Sequence, residues 1–240
     1  MRIAFFSDIH ANMPALSAAF ARAERLGVSK HVIAGDIIGG GPHPLEVTRF
    51  LMEKNVQSIR GNIERKVTGR AGKPVKKNFS SDKKGNLLWT AAQLGSAEME
   101  WLRALPADLM LETGGVRIKV VHGSPRSDMD YIYPSVTKAS LLAKLDLDLP
   151  DALVCGHSHI PFSRAVSGMY VVNCGSVGRP VDGDPAGSFA VIELGESGKI
   201  GVRIVRFAYA VEELVKDLKR KEVPGAVADE YRLGIKRKGA

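Results

Sequence analysis

The 240-residue sequence predicts an α/β protein in which two β-sheets pack together with helices outside. Three observations carry that expectation. Apolar strand-like runs alternate with amphipathic helical segments in the first part of the chain, the rhythm of parallel pairing. Strand signals separated by short turns dominate the second part, which therefore reads as mostly antiparallel. Several of the apolar runs also stop abruptly at a polar loop containing glycine, the place where open α/β sheets bind ligands.

The first strand is 2–6, Arg-Ile-Ala-Phe-Phe, which ends at Ser7-Asp8-Ile9-His10. A helix follows over 14–26, with Asn12 as its cap, Pro14 in its first turn and Gly27 at its stop. Its residues Leu16, Ala19, Phe20, Ala23 and Leu26 recur at helical spacing. A strand at 31–34 runs into Gly35-Asp36-Ile37-Ile38-Gly39. A helix over 44–54 and a strand at 56–59 then lead to Arg60-Gly61-Asn62-Ile63-Glu64. Residues 65–85 break the rhythm and read as an exposed basic insertion or lid. Two short helices are expected over 86–94 and 97–105. Strands at 108–112 and 116–121 flank Thr113-Gly114-Gly115, a hairpin signal, and the second ends in His122-Gly123-Ser124-Pro125-Arg126. A helix over 136–145 precedes the apolar run Leu153-Val154-Cys155, which delivers Gly156-His157-Ser158-His159. Strands at 162–166, 169–172, 188–194 and 200–207 alternate with turns, and an amphipathic helix over 211–221 precedes a basic tail, 222–240. No repeat or linker stands out, so 1–240 is expected to be a single domain.

Composition narrows the class. An apolar content of 45% and a charged content of 25% are those of an ordinary globular protein. No apolar run approaches the ~20 residues of a membrane span. The segment Met1–Asp8 is too short and turns acidic too soon for a signal peptide. The 2 cysteines exclude a disulfide scaffold and suit a reducing, cytoplasmic setting. Net charge is +8 and unevenly spread. Basic side chains crowd 65–85 and 214–240, which could attract nucleic acid, or could simply be solvated on a loop and a frayed tail. The 65–78 run has no aromatic residue, which argues against a stacking platform for single strands there.

Histidine is scarce, with 6 in the chain, yet His157 and His159 flank one serine at a strand end, where residues i and i+2 point the same way. Asp8, His10, Asp36, Asn62 and His122 also follow apolar strands. If those strand ends face one cleft, all seven side chains converge there. Two carboxylates, one amide and four imidazoles suit Mn²⁺, Fe, Zn²⁺ or Co²⁺ better than Ca²⁺. Seven ligands exceed one tetrahedral ion and suit a pair sharing a bridging carboxylate.

The ordered series D-x-H, G-D-x-x-G, G-N-x-E, H-G and G-H-x-H, from Asp8 to His159, resembles the calcineurin-like metallophosphoesterases. The loop 173–178 and Asp182-Gly183-Asp184-Pro185 resemble that family's small prokaryotic branch. The resemblance implies a four-layer α/β sandwich with two central mixed β-sheets flanked by helices. It implies that Asp8, His10 and His159 hold one metal and that Asn62, His122 and His157 hold a second, with Asp36 bridging. It implies two divalent ions, Mn²⁺ first, with Fe, Zn, Co or Ni as alternatives, and a metal-bridging hydroxide attacking phosphorus in line. Asp36, Asn62 and His122 are then the expected catalytic residues, and Asn12 and Arg126 the expected substrate contacts.

One position departs from the family pattern. Many members carry histidine where this chain has Ile63, and a missing general acid typically costs roughly 10²–10⁴-fold. Activated phosphodiesters therefore fit better than phosphoproteins, and the expected activity is that of a phosphodiesterase acting on a small phosphodiester or nucleotide-type substrate. The alternatives are a phosphoprotein or dinucleoside polyphosphate phosphatase, a nuclease using the basic segments, and a non-enzymatic scaffold. No membrane partner is expected, and the sequence leaves the oligomeric state open.

Overall fold

A computed structural model of the chain describes residues 1–69, 80, 82–145 and 149–236. Its first five-stranded sheet has the order β10-β9-β1-β2-β3, built from β1 (Arg2–Phe6), β2 (Lys30–Ala34), β3 (Gln57–Ile59), β9 (Gly187–Leu194) and β10 (Ile200–Phe207). The second has the order β4-β5-β6-β8-β7, from β4 (Asp108–Thr113), β5 (Val116–Val121), β6 (Ala152–Cys155), β7 (Phe162–Val166) and β8 (Met169–Asn173). Both sheets are mixed. β1, β2 and β3 run parallel, while β9 pairs antiparallel with β1 and β10. In the second sheet β5, β6 and β8 run parallel between two antiparallel edges. The second half of the chain is thus less antiparallel than its turns suggested, because β6 carries crossovers on both sides.

Alternation along β1 explains the layering. Ile3 and Phe5 belong to the apolar cluster shared with Ile118, Val120 and Val154 of the other sheet. Ala4 and Phe6 face the helical side, with Leu16 and Ala19 of α1 (Met13–Arg25) and Val47 and Leu51 of α2 (Pro44–Glu53). All four β1 residues are fully buried, and each phenylalanine contributes about 1.5–3 kcal/mol of burial. Helices α4 (Lys83–Ala92) and α5 (Ser96–Ala104) complete that outer layer, and the short α6 (Lys138–Leu142) covers the second sheet. The result is the expected four-layer α/β sandwich. No described helix is long and apolar enough to cross a membrane.

Two expectations change and one is left untested. The run 65–85 begins and ends in helix: α3 (Asn62–Thr68) starts at Asn62 itself, and α4 starts at Lys83. The lid assigned to the rest of that run falls on 70–79 and 81, outside the described residues. The tail does not fray through 236. After α7 (Val211–Arg220), helix α8 (Ala228–Leu233) packs down and buries Tyr231 to 2% exposure. Tyr231 and Val223 join Trp89 and Leu214 in an apolar cluster, and that burial outweighs the charge of the segment.

Candidate metal centre

The carboxyl ends of β1, β2, β3, β5 and β6 open on one cleft, and their loops bring all seven expected ligands together. Asp8, His10 and His159 form one triad, and Asp36, His122 and His157 form another. In the first, His159 Nε2 lies 3.1 Å from Asp8 Oδ1 and 3.1 Å from His10 Nε2. In the second, His122 Nε2 lies 3.2 Å from His157 Nδ1 and 3.1 Å from Asn62 Oδ1. Asp36 Oδ2 stands between them, 3.4 Å from His122 Nε2 and 4.0 Å from His10 Nε2.

Five of the side chains are held so that a lone pair points inward. Ser7 Oγ and the His157 N–H both donate to Asp8 Oδ2, which leaves Oδ1 buried and without a hydrogen bond among the described residues. The Ile63 N–H donates to Asp36 Oδ1, which leaves Oδ2 for the centre. The carbonyls of Gly39, Arg179 and Ala34 lie 3.1, 2.5 and 2.9 Å from Nδ1 of His10, His159 and His122. Those contacts place each ring proton on Nδ1 and leave Nε2 as a ligand atom.

The backbone adopts a rare conformation to do this. Asp8, His10, Asp36, His157 and His159 have φ of 54°, 50°, 51°, 63° and 58°, a left-handed region that non-glycine residues visit at a cost of about 1–3 kcal/mol each. Hydrogen bonds hold them there, among them Asp8 N–H to Gly35 O at 3.0 Å and His10 N–H to Asp36 O at 3.0 Å. Close approach also dictates Gly61 and Gly156. A Cβ on Gly61 would collide with the Asp36 carboxylate, and one on Gly156 with Ser7 and Asp8.

The electrostatics call for a cation. Asn62 turns one amide atom into the cluster, 3.1 Å from His122 Nε2, 3.0 Å from His157 Nδ1 and 3.3 Å from Asp36 Oδ2. Burial opposes charge on His122, yet the carboxylates of Asp36 and Asp8 push its pKa up to about 10. Burial and the neighbouring His159 push His10 down to about 4. Burial works against Asp8 as an anion, but His159 and the other imidazoles hold its carboxyl far below the usual range. Buried oxygen and nitrogen donors with inward lone pairs fit divalent metal binding. Cys155 and Cys174 are buried and unpaired, and burial pushes the Cys155 thiol up to about 12, so Cys155 packs as a neutral thiol.

Three residues brace the centre without having been singled out for that role, and Lys66 stands beside it. Glu64, in the G-N-x-E motif, is fully buried and accepts from the N–H groups of Asp36, Ile37, Ile38 and Gly61 at 2.9, 2.8, 3.1 and 2.7 Å. A glutamate three residues into a helix is the readable half of a capping box, the signal that would have found it. Asn173 Nδ2 donates to Gly156 O at 2.8 Å and Ser158 Oγ at 3.0 Å, steadying the histidine loop. Tyr131 stacks on His157 with ring centroids 4.4 Å apart. Lys66, one turn after Asn62, brings Nζ to 3.1 Å from the outer atom of its amide.

The two expected substrate contacts part company. Asn12 is fully buried; its Oδ1 accepts from Ala15 N–H at 3.0 Å and its Nδ2 donates to Gly178 O at 2.8 Å. It is a helix cap with no surface to offer a substrate. Arg126 is exposed and lines a cleft with Arg60 and Arg65 that ends at His122. His43 lies elsewhere, buried with Nε2 2.8 Å from Asp217 Oδ2, and ties α7 to the start of α2.

Sandwich and site together define a metal-dependent phosphoric ester hydrolase. The chain belongs to the calcineurin-like phosphoesterase superfamily, whose domain model matches residues 1–197. A metallophosphoesterase from Sphaerobacter thermophilus is 28% identical with a TM-score of 0.81, the likeness covering 98% of this chain and 100% of that one. A hypothetical protein from Pyrococcus horikoshii OT3 is 25% identical with a TM-score of 0.82, over 98% and 99% of the two chains. An uncharacterised protein of Methanocaldococcus jannaschii is 25% identical over 97% of this chain and 98% of its own.

Proposed function

We propose that the protein is a dinuclear phosphodiesterase, binding one divalent ion at Asp8, His10 and His159 and a second at Asn62, His122 and His157. The observation that carries this reading is the position of Asp36 Oδ2, facing both groups at 3.4 and 4.0 Å. Two ions held there would supply an acidified water as nucleophile and neutralise charge developing on the phosphoryl group. Mn²⁺ is the metal of choice for these donors. Asp36, Asn62 and His122 position the reacting centre, and Arg126 reaches the anionic part of the substrate from its cleft.

Ile63 supports the choice of diester. Its side chain borders the cavity beside His10 and can transfer no proton, so leaving groups that need little protonation are favoured. The test is turnover of bis(p-nitrophenyl) phosphate against p-nitrophenyl phosphate, using metal-stripped protein resupplied with Mn²⁺ and a His157→Ala control. Metal-dependent turnover that prefers the diester and disappears in the control is expected. A monoester preference, or turnover that survives His157→Ala, sinks the proposal.

The cleft of Arg60 and Arg126, with Arg65 held there by an ion pair to Asp128, favours a second reading, a nuclease. Binding to a nucleic acid backbone would then weaken steeply between 50 and 200 mM salt, whereas turnover of a small diester would change little.

A further inference from the structure

Next to the first triad, on the side of His10, lies a cavity of about 150 Å³ that the proposed chemistry does not use. Ile63, Leu87, Ala226, Val227 and the ring of Tyr231 make most of its exposed wall apolar, although the charged Asp82, Lys83 and Lys236 also line it. Lys66 lines its inner end, close to Asn62. The outer wall, 224–231, lies beyond the residues 1–197 matched by the family model.

That wall is firmly held. Tyr231 OH donates to Gly40 O at 3.2 Å, and Asn86 ties the wall to the same loop, donating to Pro224 O at 3.0 Å while accepting from the Gly40 N–H at 2.8 Å. Arg179 and Glu230, only 2% exposed, pair at 2.7 Å. The adjoining Gly39 carbonyl is the one that orients His10. A pocket fixed in place beside reacting groups lowers the cost of ordering a ligand.

We propose that this cavity binds one ester group of the substrate, and that this group is apolar and about the size of a single ring. The inference rests on the phosphodiesterase reading above. Two observations set the chemistry. A largely apolar wall recognises an apolar group, and an apolar cavity of about 150 Å³ takes a benzene-sized molecule. Lys66, at the inner end, then faces the phosphoryl oxygens rather than the ring.

Calorimetric titration of the Mn²⁺-loaded protein with phosphonates, whose carbon–phosphorus bond resists hydrolysis, tests the idea by binding alone. Phenylphosphonate is expected to bind about tenfold tighter than methylphosphonate, from burial of the ring over part of its surface. The polar 2-hydroxyethylphosphonate should match methylphosphonate. Filling the pocket through Ala226→Phe or Val227→Phe should bring the phenyl-to-methyl ratio toward 1. Equal affinities for phenyl- and methylphosphonate in the parent protein would overturn the pocket and leave the phosphoesterase reading standing. An unchanged ratio in both folded variants would overturn it too. Absence of any metal-dependent methylphosphonate binding would instead overturn the reading on which it rests.

Discussion

Glu64→Gln is the substitution whose consequence follows most directly from the geometry. Each Glu64 oxygen accepts from two buried N–H groups: Oε1 from Ile37 and Ile38, Oε2 from Asp36 and Gly61. Glutamine keeps one acceptor oxygen, so whichever way its amide turns, two buried N–H groups face a donor. Each costs about 1–3 kcal/mol, for a total of roughly 2–6 kcal/mol. With a urea m-value of about 2 kcal/mol/M, the unfolding midpoint of the metal-free protein falls by at least about 1 M. The deficit also depends on pH. Burial, then Asp36, pushes the Glu64 carboxyl from 4.5 up to about 7, so it ionises less readily in the folded chain than in the unfolded one. Its contribution is therefore fully present below 4.5 and is lost as pH rises through about 7. The gap between parent and variant should narrow over that range. Urea melts at pH 5 and 8 check both statements. A midpoint shift under about 0.3 M at unchanged m, or a gap that widens with pH, would refute the reasoning.

Two further outcomes follow from the same site. Tyr131→Ala removes the ring stacked on His157, and aromatic pairs of this kind contribute about 0.5–1.5 kcal/mol, so Mn²⁺ affinity should drop about 2–12-fold. Tyr131→Phe should restore it in a competition titration, and a Phe variant as weak as Ala would rule out stacking as the cause. Against burial, the Asp36 carboxylate pushes His122 up to about 10 in the metal-free protein, so its contribution is fully present below 6.5 and is lost as pH rises through 10. Thermal melts of metal-free parent and His122→Asn should converge over that interval; a difference that stays flat would contradict the pairing.

Much of this site was legible because its ligands follow strands whose apolar runs are hard to misread. β1, β5, β7 and β10 match their expected ranges, and the loops after β1, β2, β5 and β6 carry Asp8, Asp36, His122 and His157. What sequence did not reveal depends on contacts distant along the chain. Glu64 is read as part of a motif, but its four N–H partners come from two separate loops. The left-handed φ of five ligands has no composition signal, since aspartate and histidine occupy positions where glycine would be expected. Helix α8 was hidden by charge: Asp229, Glu230 and Arg232 surround Tyr231, and only the fold shows that ring reaching Gly40. Asn12 was correctly placed as a cap and wrongly expected to touch substrate, because burial cannot be read from a turn sequence.

The central claim is that Asp36 joins two ion sites into one catalytic centre. The most direct measurement is a Mn²⁺ titration of metal-stripped protein, with bound ion counted by equilibrium dialysis and diester turnover followed in the same samples. The account predicts two ions per chain in the parent, turnover appearing only as the second binds, and loss of that second step in Asp36→Asn. Full turnover with a single ion bound, or an Asp36→Asn variant that still takes up two ions and turns over normally, would contradict it.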